Sequence, residues 1–155
     1  MSSKEKLLSS LLVHSRKLST GTVLFHQVIA DCLGLNPTDH KCLDIILRTG
    51  ALTAGELAEQ SNLTTGGITG VIDRLEKAGY VVRTKDPADR RRVIVQPVED
   101  KIREVSMLFS SLTEASTSLF SQYKVEELRL ILDFLQKSQL VLEQETRKLK
   151  ETHLL

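Results

Sequence analysis

Three consecutive arginines, Arg90, Arg91 and Arg92, follow Asp86-Pro87-Ala88-Asp89 and lead straight into Val93-Ile94-Val95. Guanidinium groups are planar, permanently charged and able to grip phosphate oxygens in pairs. Set on a turn between two short β-branched runs, they make a basic hairpin tip suited to the backbone or narrow groove of duplex DNA. Upstream, Thr64-Thr65-Gly66-Gly67-Ile68-Thr69-Gly70 opens an amphipathic stretch, and Arg74 follows one turn later. Hydroxyls can reach base edges and a helix start offers unpaired amides to anions. Glycine has no side chain to read a base and costs about 1 kcal/mol of helix propensity, but it permits close backbone approach. Thr65 and Thr69 are therefore expected to make the few direct base contacts, with the hairpin tip and DNA shape supplying much of the selectivity.

Net charge alone would not point to nucleic acid, since the 155 residues sum to +1. Its distribution does: residues 64–95 carry a net +3 and residues 98–155 a net −2. A basic face on a nearly neutral chain suits a DNA reader that uses its other face for something else. Aromatic residues make up 4% with no Trp, which argues against a large aromatic binding platform. No run approaches the roughly 18 apolar residues that span a bilayer. Met1-Ser2-Ser3-Lys4-Glu5-Lys6 leads into an amphipathic pattern instead of a signal peptide, so cytoplasmic residence is expected. There is no Gly-x-Ser-x-Gly, Walker loop, His-Glu-x-x-His or dinucleotide fingerprint, so no enzymatic activity and no cofactor is expected. Cys32 and Cys42 fit neither metal spacing nor a secreted disulfide framework and read as two buried thiols. A redox role would need a lowered thiol pKa, for which only His40 and Lys41 offer nearby positive charge.

The elements that position these groups can be read from periodicity. Leu11, Leu18, Phe25 and Cys32 recur every seven residues in one long amphipathic helix over 4–34, with a weak point at Gly21. Gly34-Leu35-Asn36-Pro37 ends it, and Thr38 is expected to cap a second helix that closes at Gly50. Thr53-Ala54-Gly55-Glu56 is a capping box for a short third helix. Ser61-Asn62-Leu63 turns the chain, Thr64 caps the fourth helix, and Gly79 ends it. Tyr80–Thr84 and Arg91–Gln96 read as strands, and Pro97 as the first turn of a long fifth helix. A last helix starts after Gln122-Tyr123-Lys124. The fold class is mainly α with a small β-hairpin wing on a helix-turn-helix core.

The first helix and the final two carry apolar faces that the small core cannot cover. Burying one exposed Leu or Phe is worth roughly 1.5–3 kcal/mol, so an obligate two-fold homodimer is expected.

With those residues in view, the chain resembles the MarR family of winged-helix regulators. The resemblance rests on Glu56-Leu57-Ala58, on Val71-Ile72-Asp73-Arg74-Leu75-Glu76-Lys77-Ala78-Gly79-Tyr80-Val81 and on Asp86 through Arg92, in this order, and it covers nearly the whole chain. It implies one MarR-type domain over 1–155, with a DNA-binding lobe at 38–97 and helical dimerisation regions at 4–34 and 98–150. It implies that the helix matching Thr64–Lys77 enters the major groove, that Arg91 reaches a minor groove, and that Asp89 braces the wing through an ion pair with a nearby arginine. The DNA-contacting set is then Thr64, Thr65, Gly66, Gly67, Thr69, Gly70, Arg74, Asp89, Arg90, Arg91 and Arg92. Two stretches depart from the family. Relatives often carry Ser or Thr at the Gly66 and Gly67 positions and a longer polar residue at Gly70, and they usually have a Leu-Thr pair where this chain has Gln96-Pro97-Val98.

The resemblance also implies a repressor that binds a pseudo-palindromic operator and is released by a small aromatic or anionic effector. The effector would sit in a cleft between dimerisation helices and DNA-binding lobe, with His14, Arg16, Lys17, His26, Cys32 and His40 as candidate lining. Zinc-sensing relatives use histidines on the fifth helix and this chain has none between His40 and His153, so no metal site is expected. The alternative is a winged-helix protein-interaction module without sequence-specific DNA binding, which would have no need of a basic wing tip.

Overall fold

Side-chain caps open the first four helices in the computed structural model, which describes residues 2–153. Helix α1 (Ser3–Leu33) starts from a capping box in which Ser2 Oγ accepts from the Glu5 amide and Glu5 accepts from the Ser2 amide. It runs unbroken through Gly21. Helix α2 (Pro37–Thr49) is capped by Asn36, whose Oδ1 accepts from the Asp39 amide at 2.8 Å, and not by Thr38. The correction has a simple cause: Pro37 has its φ fixed near the helical value and no amide to satisfy, so it is a ready first helical residue.

The expected Thr53–Glu56 capping box is present at the start of α3 (Ala54–Ser61). Thr64 caps α4 (Thr65–Lys77) by accepting from the Gly67 amide. After Ala78, Gly79 adopts φ 79°, and the amides of Gly79 and Tyr80 close back on the carbonyls of Glu76 and Leu75. A left-handed residue is required there, which a side chain would resist.

The sheet has three antiparallel strands in the order β1-β3-β2, one more than the sequence pattern showed. Strand β1 is only Leu52–Thr53, opposite Val95 and Ile94, too short to leave a period-2 signature. Strands β2 (Val81–Lys85) and β3 (Val93–Pro97) form the wing hairpin. Pro97 does not begin a helix; it ends β3 opposite Val81, where a missing amide forfeits one ladder position at most. The next amide, Val98, donates to the Tyr80 carbonyl, and α5 follows at Glu99–Phe120.

Contacts divide the chain within α5, between Leu108 and Phe109. The first unit has its core where Leu43 and Ile46 of α2, Leu57 of α3, and Ile68, Ile72 and Leu75 of α4 meet Val81 and Val95 of the sheet, all essentially excluded from water. Tyr80 links α1 and α5: its hydroxyl donates to the Leu33 carbonyl at the end of α1, and Lys101 of α5 lies over its ring. The second unit contains the end of α5 and helix α6 (Val125–His153), in which no residue is buried. Among the described residues no single helix is long and apolar enough to cross a membrane.

Gly66 lies in the first turn of α4, and a Cβ built on it meets nothing within 4 Å. Gly66→Ala should therefore stabilise the protein by about 0.5–1 kcal/mol, because it improves helix propensity without a clash. Denaturant unfolding of the two proteins checks this, and a loss of stability would show that the site is not open.

Candidate nucleic-acid interface

The exposed side of α4 is built from small residues at its start and restrained charges further on. Thr64 is the cap, Thr65 and Gly66 stand exposed, and the Gly67 amide is already held by Thr64 Oγ1 at 3.2 Å. Thr69 is exposed, but its hydroxyl donates to the Thr65 carbonyl one turn back, at 3.1 Å. Gly70 is partly covered; a Cβ there would lie 3.3 Å from Nη1 of Arg74.

Arg74 differs most from its expected role. Its Nε and Nη2 donate to the two carboxylate oxygens of Asp39 on α2, at 2.8 and 2.7 Å. The Asp39 side chain is only 4% exposed, while that of Arg74 is 53% exposed. A buried carboxylate needs such a partner, so this side chain is committed to joining α2 and α4. Asp73 and Glu76 are likewise engaged: both accept from the guanidinium of Arg83 on β2, which fixes the wing hairpin to α4.

The wing tip sorts its three arginines. Asp89 Oδ1 accepts from the Arg91 amide at 3.0 Å and from Arg91 Nε at 3.2 Å, and these bonds hold its carboxyl below the ordinary range. The Asp86 carboxylate braces the same turn by accepting from the Ala88 amide. Arg91 still projects, with its side chain 92% exposed, and Arg90 is exposed beside it. Arg92 turns the other way, towards Glu56 at 3.5 Å and Asp86 at 3.8 Å. It ties the wing to the α3 capping box, a contact across 36 residues that sequence spacing could not reveal.

Between α1 and α2 lies a cleft of about 330 Å³ lined by Thr22, Val23, His26, Gln27, Pro37, His40, Lys41 and Asp44. Of the expected lining it contains His26 and His40, whose ring centroids are 5.3 Å apart. His14, Arg16, Lys17 and Cys32 are exposed on α1 and do not line it. The His14 ring instead sits 2.9 Å from the Ser10 carbonyl. Helical spacing explains the difference: 22, 23, 26 and 27 share one face of α1, and 37, 40, 41 and 44 one face of α2, a pairing visible only once the two helices are known to pack. Burial, reinforced by His26, pushes the His40 pKa down despite Asp44. The expectation of two buried thiols holds for one: Cys42 is buried, which pushes its thiol up, whereas Cys32 is exposed. No group of three potential metal ligands occurs among the described residues.

A family model described as MarR family matches residues 35–93, the segment from the start of α2 into the wing. Over 136 residues, 88% of each chain, the sequence is 48% identical to the uncharacterized HTH-type transcriptional regulator YcgE of Bacillus subtilis (strain 168). The chain belongs to the MarR family. The fold agrees. A MarR family protein from Bacillus stearothermophilus matches with a TM-score of 0.67 at 22% identity, over 92% of this chain and 97% of that one. NadR in complex with 4-hydroxyphenylacetate matches with a TM-score of 0.59 at 22% identity, over 84% and 90%. As a MarR-family winged helix-turn-helix protein, the chain is a DNA-binding transcriptional regulator.

Two outcomes follow for this MarR-family protein. Arg74→Met strands a buried carboxylate, whereas Asp39→Asn merely returns a half-exposed guanidinium to water, so the first should lower the unfolding midpoint more. Thermal melts of both variants check the order, and the reverse order would place the anchor on the wrong partner. Because the folded state depresses the His40 pKa, the unfolded chain binds more protons once pH falls below the ordinary imidazole value of 6.5. Stability should therefore decline on acidification from that point, and His40→Asn should decline less between pH 7.5 and 5.5; parallel curves would remove His40 as the cause.

Proposed function

We propose that the protein is a homodimeric repressor in which each copy reads one half of a pseudo-palindromic operator, and that a small ligand releases it. The observation that carries the DNA reading is Arg91: Asp89 holds its backbone amide and its Nε, while the side chain remains almost fully in solvent. A charged group anchored at its base and unoccupied at its tip suits a minor-groove or phosphate contact. In this reading residues 38–97 form the DNA-binding lobe, and 4–34 and 98–150 pair the copies.

The homodimer is supported by apolar surface that a single copy leaves in water. Leu7, Leu12 and Leu18 of α1 and Leu130, Phe134 and Leu142 of α6 are all more than half exposed. Exposed apolar surface on this scale marks interaction surfaces, and a second copy offers the same surface to pair with it. Release by a small ligand is supported by the α1–α2 cleft, which combines apolar walls with two imidazoles and an amide. NadR, of the same fold, was solved with a small aromatic acid bound. A ligand that prefers the form unable to bind DNA shifts the population away from the operator.

Selection of bound duplexes from a randomised pool, followed by affinity measurement at several salt concentrations, tests the reading. It should enrich a pseudo-palindrome with half-sites about one helical turn apart. Arg91→Ala should weaken binding to all duplexes and reduce the slope of log affinity against log salt by about 1. An unchanged slope would remove Arg91 from the DNA contact, and no binding at all would favour a protein-interaction module.

A further inference from the structure

We infer that α4 reads its half-site chiefly through thymine methyl groups, met by the methyls of Thr65 and Thr69, and not through bidentate hydrogen bonds. This rests on the regulator reading above and specifies what the recognition helix recognises. The long side chains that ordinarily read base edges are accounted for elsewhere: Arg74 is bound by two hydrogen bonds to Asp39, and Asp73 is paired with Arg83. Lys77, the remaining long cation of α4, lies twelve residues beyond Thr65, about 18 Å along the axis and away from the N-terminal turns that enter the groove.

What remains at the start of the helix is specific in its chemistry. The Thr69 hydroxyl has spent its proton on the Thr65 carbonyl, so the side chain offers a methyl and an acceptor but no donor. Thr65 offers a second methyl one turn before it, with a hydroxyl that has no intramolecular partner among the described residues. Gly66 adds no bulk, since a Cβ there would stand in open space, and Gly70 is partly covered by the Arg74 guanidinium. The two threonine methyls can thus approach a groove floor without being held off by longer neighbours. In the major groove the thymine C5-methyl is the apolar feature of a base pair, and threonine methyls are among its natural partners.

The test uses the full-length protein and the duplex most enriched from a randomised pool, resynthesised with deoxyuridine in place of each thymine in turn. The replacement removes one methyl and leaves every hydrogen-bonding group of the pair intact. At one or two thymines per half-site, affinity should fall about three- to fivefold, the worth of one methyl withdrawn from an apolar contact. The Thr65→Ser/Thr69→Ser variant keeps both hydroxyls and loses both methyls, so it should bind the two duplexes equally at those positions. Equal affinity of the original protein for thymine and uracil everywhere, or discrimination that survives in the double variant, overturns the inference while leaving a sequence-specific regulator in place. A pool that yields no enriched duplex overturns the regulator reading itself, and this inference with it.

Discussion

The Asp39 carboxylate, almost entirely withdrawn from water, needs a cation, and Arg74 meets it with two aligned donors while the Asn36 side-chain amide adds a third hydrogen bond. Much of the geometry of the candidate interface depends on that demand. Helix α4 carries Gly66, Gly67 and Gly70, three residues of poor helix propensity, so its regularity must come from tertiary anchoring more than from its own sequence. Its apolar side, with Ile68, Ile72 and Leu75 buried, supplies the area. The Asp39–Arg74 pair supplies direction, since a two-point ion pair fixes the azimuth of one helix against another in a way that greasy contact does not. Gly70 belongs to the same arrangement: a Cβ at that position would sit tighter against the guanidinium than most side chains tolerate.

The wing follows a related logic, in which acids decide what each arginine can do. Glu76 and Asp73 restrain Arg83 at the root of the hairpin, Glu56 and Asp86 restrain Arg92, and Asp89 fixes the backbone beneath Arg91. Exposed ion pairs of this kind contribute little stability individually, with a typical value of 0–1 kcal/mol. Their effect is geometric. By occupying the other guanidiniums they leave Arg90 and Arg91 as the outward charge of the tip, so a turn of three arginines presents a narrower cationic point than its composition implies.

Much of this was legible in the sequence, for reasons that can be stated. The capping box at Thr53, the Thr64 cap and Gly79 are local features, decided within four residues, and both the helix order and the hairpin follow from periods of 3.6 and 2. What remained hidden was either too short or too distant. The two-residue β1 has no period to detect, and Pro97 satisfies the rule for a helix start as well as that for a strand end. At the interface, the threonines and glycines fall where spacing puts them, but the commitment of Arg74 to Asp39 spans 35 residues and that of Arg92 to Glu56 spans 36. Long-range pairing of this kind leaves no mark on composition. Of the residues grouped as candidate lining, His26 and His40 fall in the α1–α2 cleft while His14, Arg16, Lys17 and Cys32 do not, because sequence alone has no means to register α1 against α2.

Helix α2 is where the two halves of the proposed mechanism meet. Asp39 faces the recognition helix, while His40, Lys41 and Asp44 on the adjoining face line the cleft. Lys41 also donates to the Ser61 carbonyl at the end of α3, so the same turn of α2 touches both helices of the helix-turn-helix. The interior between them is close-packed, with Leu43 and Ile46 essentially inaccessible, and packed interiors move by discrete repacking more readily than by graded compression. An occupant of the cleft that favours a different seating of α2 must therefore either carry Arg74 and Ser61 along or break their bonds. In the first case the recognition helix changes its attitude as a body; in the second it loses the anchor that compensates for its glycines. Both routes would act on α4 through neighbouring residues of a single helical turn, so the proposed release needs no contact between the occupant of the cleft and DNA.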